Sequence, residues 1–321
     1  MKKESKIDVA VLLIFFVRTK LTVQVFEQIR KARPSKLFLY QDGPRSGRTD
    51  DIENITNCRN EIESRIDWNC EVYRMYQEKN CGCDPSEYIA QRWMFSIVDK
   101  GIVLEDDDVP SQSFFPFCKE LLDKYEHDER INMICGMNNL ETYDSPDDYF
   151  FSQTGSIWGW ASWRRVVQGW DVSCDFLDDA WALKLLKGNF GGDYYHIIKT
   201  WKKHRNSGKV HYETILGSNA ILNHRLNIVP TKNLISNIGL AEETTHGVAS
   251  IELLPRGLRR IFYQKTYEFK FPLKHPNYIV DNIDYYNKLN RVMRGGLLNK
   301  LFMLRKIEGR LYRIFPFFGK V

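Results

Sequence analysis

The sequence predicts an α/β fold, a mixed sheet with flanking helices, and three observations carry that expectation. Apolar runs of strand length at 9–16, 37–40 and 101–104 alternate with helical patterns through the first hundred residues, a βαβ succession that implies parallel strands covered on both faces. Three strand ends run into polar groups, at Arg18, at Asp42 and at Glu105-Asp106-Asp107-Asp108, as expected of a ligand site at the carboxyl ends of parallel strands. Finally, 321 residues with 43% hydrophobic and 27% charged side chains can bury a large core, which excludes disordered and fibrous classes.

Each element follows from its own pattern. The run at 9–16 is continuously apolar, the mark of a strand buried on both sides. Over 21–32, Leu21, Val25, Phe26 and Ile29 share one helical face, and Pro34 stops the helix. The second strand, 37–40, ends in the turn tetrad Gln41-Asp42-Gly43-Pro44. A polar helix is expected through 50–65, a third strand at 71–76, a helix at 85–98 and a fourth strand at 101–104. Beyond it come a helix near 113–125, strands at 131–135 and 149–153, and an aromatic, glycine-bearing stretch at 155–170. Helices at 178–187, 193–205 and 213–223, a strand near 226–230 and a loop through 239–247 complete the pattern.

Charge and cysteine usage narrow the function classes. The chain carries +5, but residues 288–321 hold nine Lys or Arg against Glu308, so the tail is +8 and residues 1–287 sum to −3. A nucleic-acid enzyme spreads basic charge over its active body, and this chain does not. The longest apolar run, 9–17, is closed by Arg18 and is far shorter than the roughly 18 residues of a membrane span. Lys2 and Lys3 precede it, but no small-residue cleavage site follows. A cytoplasmic location is therefore expected. Seven cysteines, an odd number, read as free thiols in a reducing compartment. Cys81-Gly82-Cys83 lacks the spacer and second pair of a zinc clip.

The four consecutive carboxylates after the fourth strand are the sharpest chemical signal. Like charges so close repel, and burial would raise their pKa values. A Mg²⁺ or Mn²⁺ ion resolves both problems and can bridge to a diphosphate; a solvated acidic turn is the simpler alternative. Arg18 adds a cation for phosphate and Asp42 a carboxylate for a base edge or ribose. No glycine-rich phosphate loop of the dinucleotide or Walker type is present, which removes the main support for hydride transfer or NTP hydrolysis.

Arg18, Gln41-Asp42-Gly43, Leu104-Glu105-Asp106-Asp107 and Phe114-Phe115 together resemble N-acetylglucosaminyltransferase I, an inverting enzyme of the GT-A fold. The resemblance is closer to bacterial surface-polysaccharide glycosyltransferases. It includes Asn80-Cys81-Gly82-Cys83, Trp158-Gly159-Trp160-Ala161-Ser162-Trp163, Asn237-Ile238-Gly239 and Glu243-Thr244-Thr245-His246, and spans roughly 8–247.

The resemblance implies an inverting, metal-dependent transfer of a sugar from a nucleotide-diphosphate donor, UDP-linked by preference, to a glycan or lipid-linked glycan. It makes Asp107 the direct metal ligand, with His246 completing the site. Glu105 and Asp106 would contact the sugar and ribose, Asp42 the base, and Arg18 the diphosphate. Glu213 takes the position of the general base, although the relatives have Asp there and Trp where this chain has Tyr212; Asp178-Asp179 is the runner-up pair. Trp side chains of 158–170 could stack on sugar faces or pack in the core, and Gly155 and Gly159 would free the loop. Sugar-phosphate nucleotidyl transfer and non-catalytic carbohydrate binding are the competing functions.

On this reading residues 1–250 form the transferase domain and 251–321 a basic amphipathic extension. In that extension Leu297, Leu301, Leu304, Leu311 and Phe315 form an apolar stripe among cations. It would lie on an anionic membrane surface at the inner face of the cytoplasmic membrane, or pack on the protein's own body.

Overall fold

The two faces of the first strand sort the whole molecule. In a computed structural model describing residues 2–190, 194–240, 254 and 256–294, strand β1 (Ile7–Phe15) is followed by helix α1 (Thr19–Ala32), β2 (Pro34–Gln41), α2 (Asp50–Ser64), β3 (Glu71–Tyr76), α3 (Cys83–Ile97) and β4 (Lys100–Glu105). Alternation sends Val9, Val11, Leu13 and Phe15 into one core with α1 and α2 side chains. Ala10, Leu12 and Ile14 enter a second core with Ala90, Met94 and Phe95 of α3. With both faces covered, the strand has to be apolar throughout. Helix α1 ends where Arg33 turns left-handed (φ 51°), its N–H returning to Ile29 O. Pro34 not only follows this stop but opens β2, where its missing N–H costs little at a strand's first residue.

The chain continues through β5 (Asp108–Pro110), α4 (Phe114–Lys124), β6 (Ile131–Cys135), β7 (Tyr149–Ser152), β8 (Trp160–Trp163), α5 (Arg164–Gln168), a 3₁₀ turn (Asp175–Asp178), α6 (Ala180–Phe190), α7 (Tyr194–Ser207), α8 (Tyr212–Leu222), β9 (Leu226–Pro230), β10 (Ile235–Asn237), α9 (Arg256–Arg259) and α10 (Ile283–Arg294). Eight strands form one mixed sheet in the order β3-β2-β1-β4-β8-β6-β9-β7, and β5 pairs antiparallel with β10 in a separate ribbon. Strands β8 and β7 run antiparallel to their neighbours. The connections run outward from β1 to β2 and β3, then return to β4 on the other side of β1. The crevice between the carboxyl ends of β1 and β4 is therefore the topological switch point, where open α/β sheets bind ligands.

One feature of this half differs from the pattern expected along the chain. The aromatic stretch at 155–170 contains strand β8, inserted between β4 and β6, and its four residues are all buried. Trp163 donates from Nε1 to Leu122 O at 3.0 Å. Trp160 and Trp163 are thus core, not sugar platforms. Trp158 is partly buried, its ring tilted against that of Phe262 with centroids 4.8 Å apart. Residues past 250 also join the body. Leu273, Tyr285 and Leu289 are buried, Tyr285 packs against Phe150 at 4.7 Å, and the Glu268 carboxylate accepts from the N–H groups of Gln112 and Ser113.

The stripe from Leu297 to Phe315 lies outside the described residues, as does His246. No described helix is long and apolar enough to cross a membrane. All seven cysteines are free.

Candidate active site

A cleft of about 420 Å³ opens at the switch point, and four of the expected site residues line it: Arg18, Asp42, Glu105 and Asp106. They arrive from the ends of β1, β2 and β4, which the parallel register holds side by side. Asp107 stands next to this lining, in contact with Arg18.

Asp42 shapes the wall of the cleft. Its Oδ1 accepts from the N–H groups of Gly43 and Cys81, both at 2.8 Å. Its Oδ2 accepts from Asn80 Nδ2 at 2.7 Å and the Gly82 N–H at 3.1 Å. A carboxylate has about four lone-pair sites, and the Asn80-Cys81-Gly82 loop uses them. That is a different role from reading a base edge, and it explains why the two stretches occur together. Gly43 must let Lys79 approach, because a β-carbon there would lie 2.5 Å from the Lys79 backbone. Gly43→Ala is expected to cost about 1–3 kcal/mol through overpacking, which a thermal melt reads.

The acidic corner is organised around one guanidinium. Arg18 pairs with both oxygens of Asp106 and, through Nη2, with Asp107 Oδ2 at 2.8 Å. Burial works against the Arg18 charge, but Asp106 and then Asp107 outweigh it and hold its pKa above the ordinary value. Asp108 is committed to structure: Oδ2 accepts from the Gly159 N–H at 2.8 Å and Oδ1 from Asn237 Nδ2 at 3.1 Å. The same Asn237 amide reaches Asp107 Oδ1 at 3.1 Å. A β-carbon at Gly239 would overlap the Asp107 carboxylate. The Asn237-Ile238-Gly239 stretch therefore folds against the acidic cluster, 130 residues away in the chain.

These carboxylates outnumber their cation. Burial, and then repulsion from Glu87, Asp108, Asp107 and Asp106, pushes Glu105 well above the usual carboxylate range. Burial also raises Asp106, against the pull of Arg18, and raises Asp108, with Asp107 adding to it. Hard oxygen donors with surplus negative charge fit a divalent cation such as Mg²⁺ or Mn²⁺. Among the described residues no three His, Cys, Asp or Glu side chains converge into a metal cage. The fit is to an ion held by one or two carboxylates, with ligand oxygens and water in its other positions.

Glu213 stands exposed in the first turn of α8, outside the cleft lining, and close enough to repel the buried carboxyl of Glu87. Asp178 pairs with Arg205 at 2.9 Å, and Asp179 Oδ1 accepts from the N–H groups of Trp181 and Ala182 at the start of α6. Both therefore hold partners within the helical segment and stand outside the cleft lining.

Glu87 is the residue that pattern reading passed over. It lies on the buried face of α3, lines the cleft, and is 6% exposed. Its Oε1 accepts from the Cys83 thiol at 3.3 Å, while Oε2 is buried without a hydrogen-bond partner. The available signal was its i+4 spacing from Cys83 on a helix whose inner face continues through Ala90, Gln91 and Met94. Burial raises its pKa well above the ordinary range, with Glu213 and Asp84 adding to the rise. The folded state therefore holds this proton more tightly than the unfolded chain. Stability falls as pH rises from the ordinary carboxylate range through the raised folded value. Glu87→Gln is expected to be more stable at neutral pH by about 1–3 kcal/mol and to lose that slope, which melts recorded across pH would show.

No protein-family model matches the chain, and no curated protein matches it in sequence. Several solved structures match it at low identity and low TM-score. One is UDP-glucose pyrophosphorylase with UDP-glucose, at 8% identity over 72% of this chain and 93% of that chain, TM-score 0.37. Another is the inositol-1-phosphate CTP transferase from T. maritima, at 10% identity over 73% and 90%, TM-score 0.37. A third is 4-diphosphocytidyl-2C-methyl-D-erythritol synthase from Anaerococcus prevotii, at 10% identity over 67% and 98%, TM-score 0.29. At these TM-scores the likeness carries no argument about the chain or its site.

Proposed function

We propose that this protein is a transferase acting on a nucleotide-diphosphate sugar and, more narrowly, an inverting glycosyltransferase with a glycan acceptor of the surface-polysaccharide kind. The observation that carries the reading is the crevice between β1 and β4, where Arg18 and surplus carboxylates meet in a cleft with Glu213 nearby. Asp42 holds the 80–82 loop as one wall for the nucleotide. Arg18, kept charged by Asp106 and Asp107, faces the diphosphate. Asp107, sharing its oxygens with Arg18 and Asn237, and Glu105 would hold a divalent cation, which would neutralise charge developing on the leaving diphosphate. Glu213 takes the proton of the acceptor hydroxyl as its oxygen bonds to the anomeric carbon and the bond to the diphosphate breaks, releasing UDP.

Nucleotidyl transfer to a sugar phosphate is the second reading, and the solved structures matched above carry titles of that class. That chemistry calls for a phosphate loop after the first strand. Phe16-Val17-Arg18-Thr19-Lys20 contains no glycine, which favours glycosyl transfer. One assay separates the readings. Incubation with UDP-sugars and Mn²⁺ should release UDP and be stopped by chelator. Pyrophosphate released from UTP and a sugar 1-phosphate would establish nucleotidyl transfer instead, and neither product would leave a binding protein.

A further inference from the structure

We propose that the outer face of the α6–α7 pair is a docking surface for an anionic lipid bilayer. The pair already has a core of its own, because Leu186, Ile198 and Trp201 pack with Cys174 and Leu177. Its remaining large apolar groups therefore face out for another reason: Trp181 is 62%, Leu185 52% and Tyr195 69% exposed. Trp181, Lys184 and Leu185 follow one another at i, i+3 and i+4 on α6, and Tyr195, Lys199 and Lys202 at i, i+4 and i+7 on α7, so each set occupies one helical face.

The two faces form one surface. Lys187 of α6 has its ammonium 5.8 Å from the Tyr195 ring of α7, and Lys184 lies 4.9 Å from the Trp181 ring. Neither helix carries an Asp or Glu among its described residues, while five exposed lysines stand on the two. They interrupt a body, residues 1–287, that sums to −3. Exposed Trp, Tyr and Leu fringed by ammonium groups match the level of lipid headgroups, where rings enter the interface and lysines meet phosphate. Charge complementarity thus selects an anionic bilayer and repels it from the rest of the body. Helix α7 packs on α8, the helix that carries Glu213. Docking would turn that side of the cleft toward the bilayer, a consequence that rests on the function proposed above, whereas the docking itself does not.

The test is co-sedimentation of the full chain with vesicles of phosphatidylcholine alone or mixed with phosphatidylglycerol. The wild type should bind only the anionic vesicles, and less in high salt. Trp181→Ser/Leu185→Ser/Tyr195→Ser should partition about tenfold less, with an unchanged circular dichroism spectrum and melt. Lys199→Glu/Lys202→Glu changes only exposed groups and should lose binding by a similar factor, which keeps the test decisive if the triple variant folds poorly. Wild-type binding in both variants would assign membrane contact elsewhere, such as the basic tail, and overturn the proposal. So would a wild type that ignores anionic vesicles, or a solution dimer that the triple variant abolishes, which would make a second copy the occupant.

Discussion

Asp107→Ala is expected to abolish sugar transfer while leaving a folded protein. The carboxylate contributes one of the two anionic partners of Arg18 and one acceptor for Asn237. Arg18 keeps its two-oxygen pairing with Asp106, Asn237 keeps Asp108, and the Asp107 carbonyl still accepts the Ile238 N–H at 2.9 Å. The loop at 237–239 therefore retains its backbone anchor. Removing one charge from a crowd of buried carboxylates also relieves repulsion, so the melt should move little. On the proposed mechanism the variant would lose a donor for the divalent cation, and with it the neutralisation of the leaving diphosphate. Measured UDP release in wild type with excess chelator should fall to the same floor. Normal turnover in either condition would end the metal-dependent mechanism.

Glu213→Gln should lower turnover by about 10² to 10⁴, the range typical of a general base, with little change in donor affinity. Glutamine keeps the size and most hydrogen bonding of the side chain but cannot take the proton. The exposed position at the start of α8 lets the substitution leave the core untouched. It should also ease the repulsion on Glu87, whose buried carboxyl is pushed up in part by Glu213. A variant that turns over like wild type would take the base role from Glu213. The role would then pass to Asp178 or Asp179, whose pairing with Arg205 and with the start of α6 would have to open. Glu87, a carboxyl that lines the cleft, would be a further candidate.

Much of this architecture was legible because burial imposes a period on local sequence. A strand covered on both faces must be apolar at every position, so β1, β2 and β4 announce themselves, and the polar residues that end them mark the carboxyl edge. Arg18, Asp42, Glu105 and Asp106 were found in this way, and they do line one cleft. Strand β8 was hidden because it is only four residues long and lies beside Gly159 in an aromatic stretch with no clear period. The antiparallel insertion is stabilised by β4 and β6, neither of which is adjacent to it in sequence.

What the sequence alone determined was which residues carry charge at which strand ends. What only the tertiary structure decided was who neutralises them. The partners of Arg18 lie 88 and 89 residues away, the Asn237 partner of Asp107 130 residues away, and the loop that saturates Asp42 lies 38 to 40 residues on. Glu87 reads as an ordinary helical glutamate until α3 packs on the sheet and takes its carboxyl out of water. Side-chain period depends on the few residues of one turn or pleat, so it is written locally. The desolvation and pairing of a charge depend on every element that closes over it, and those are set only when strands far apart in the chain come into register.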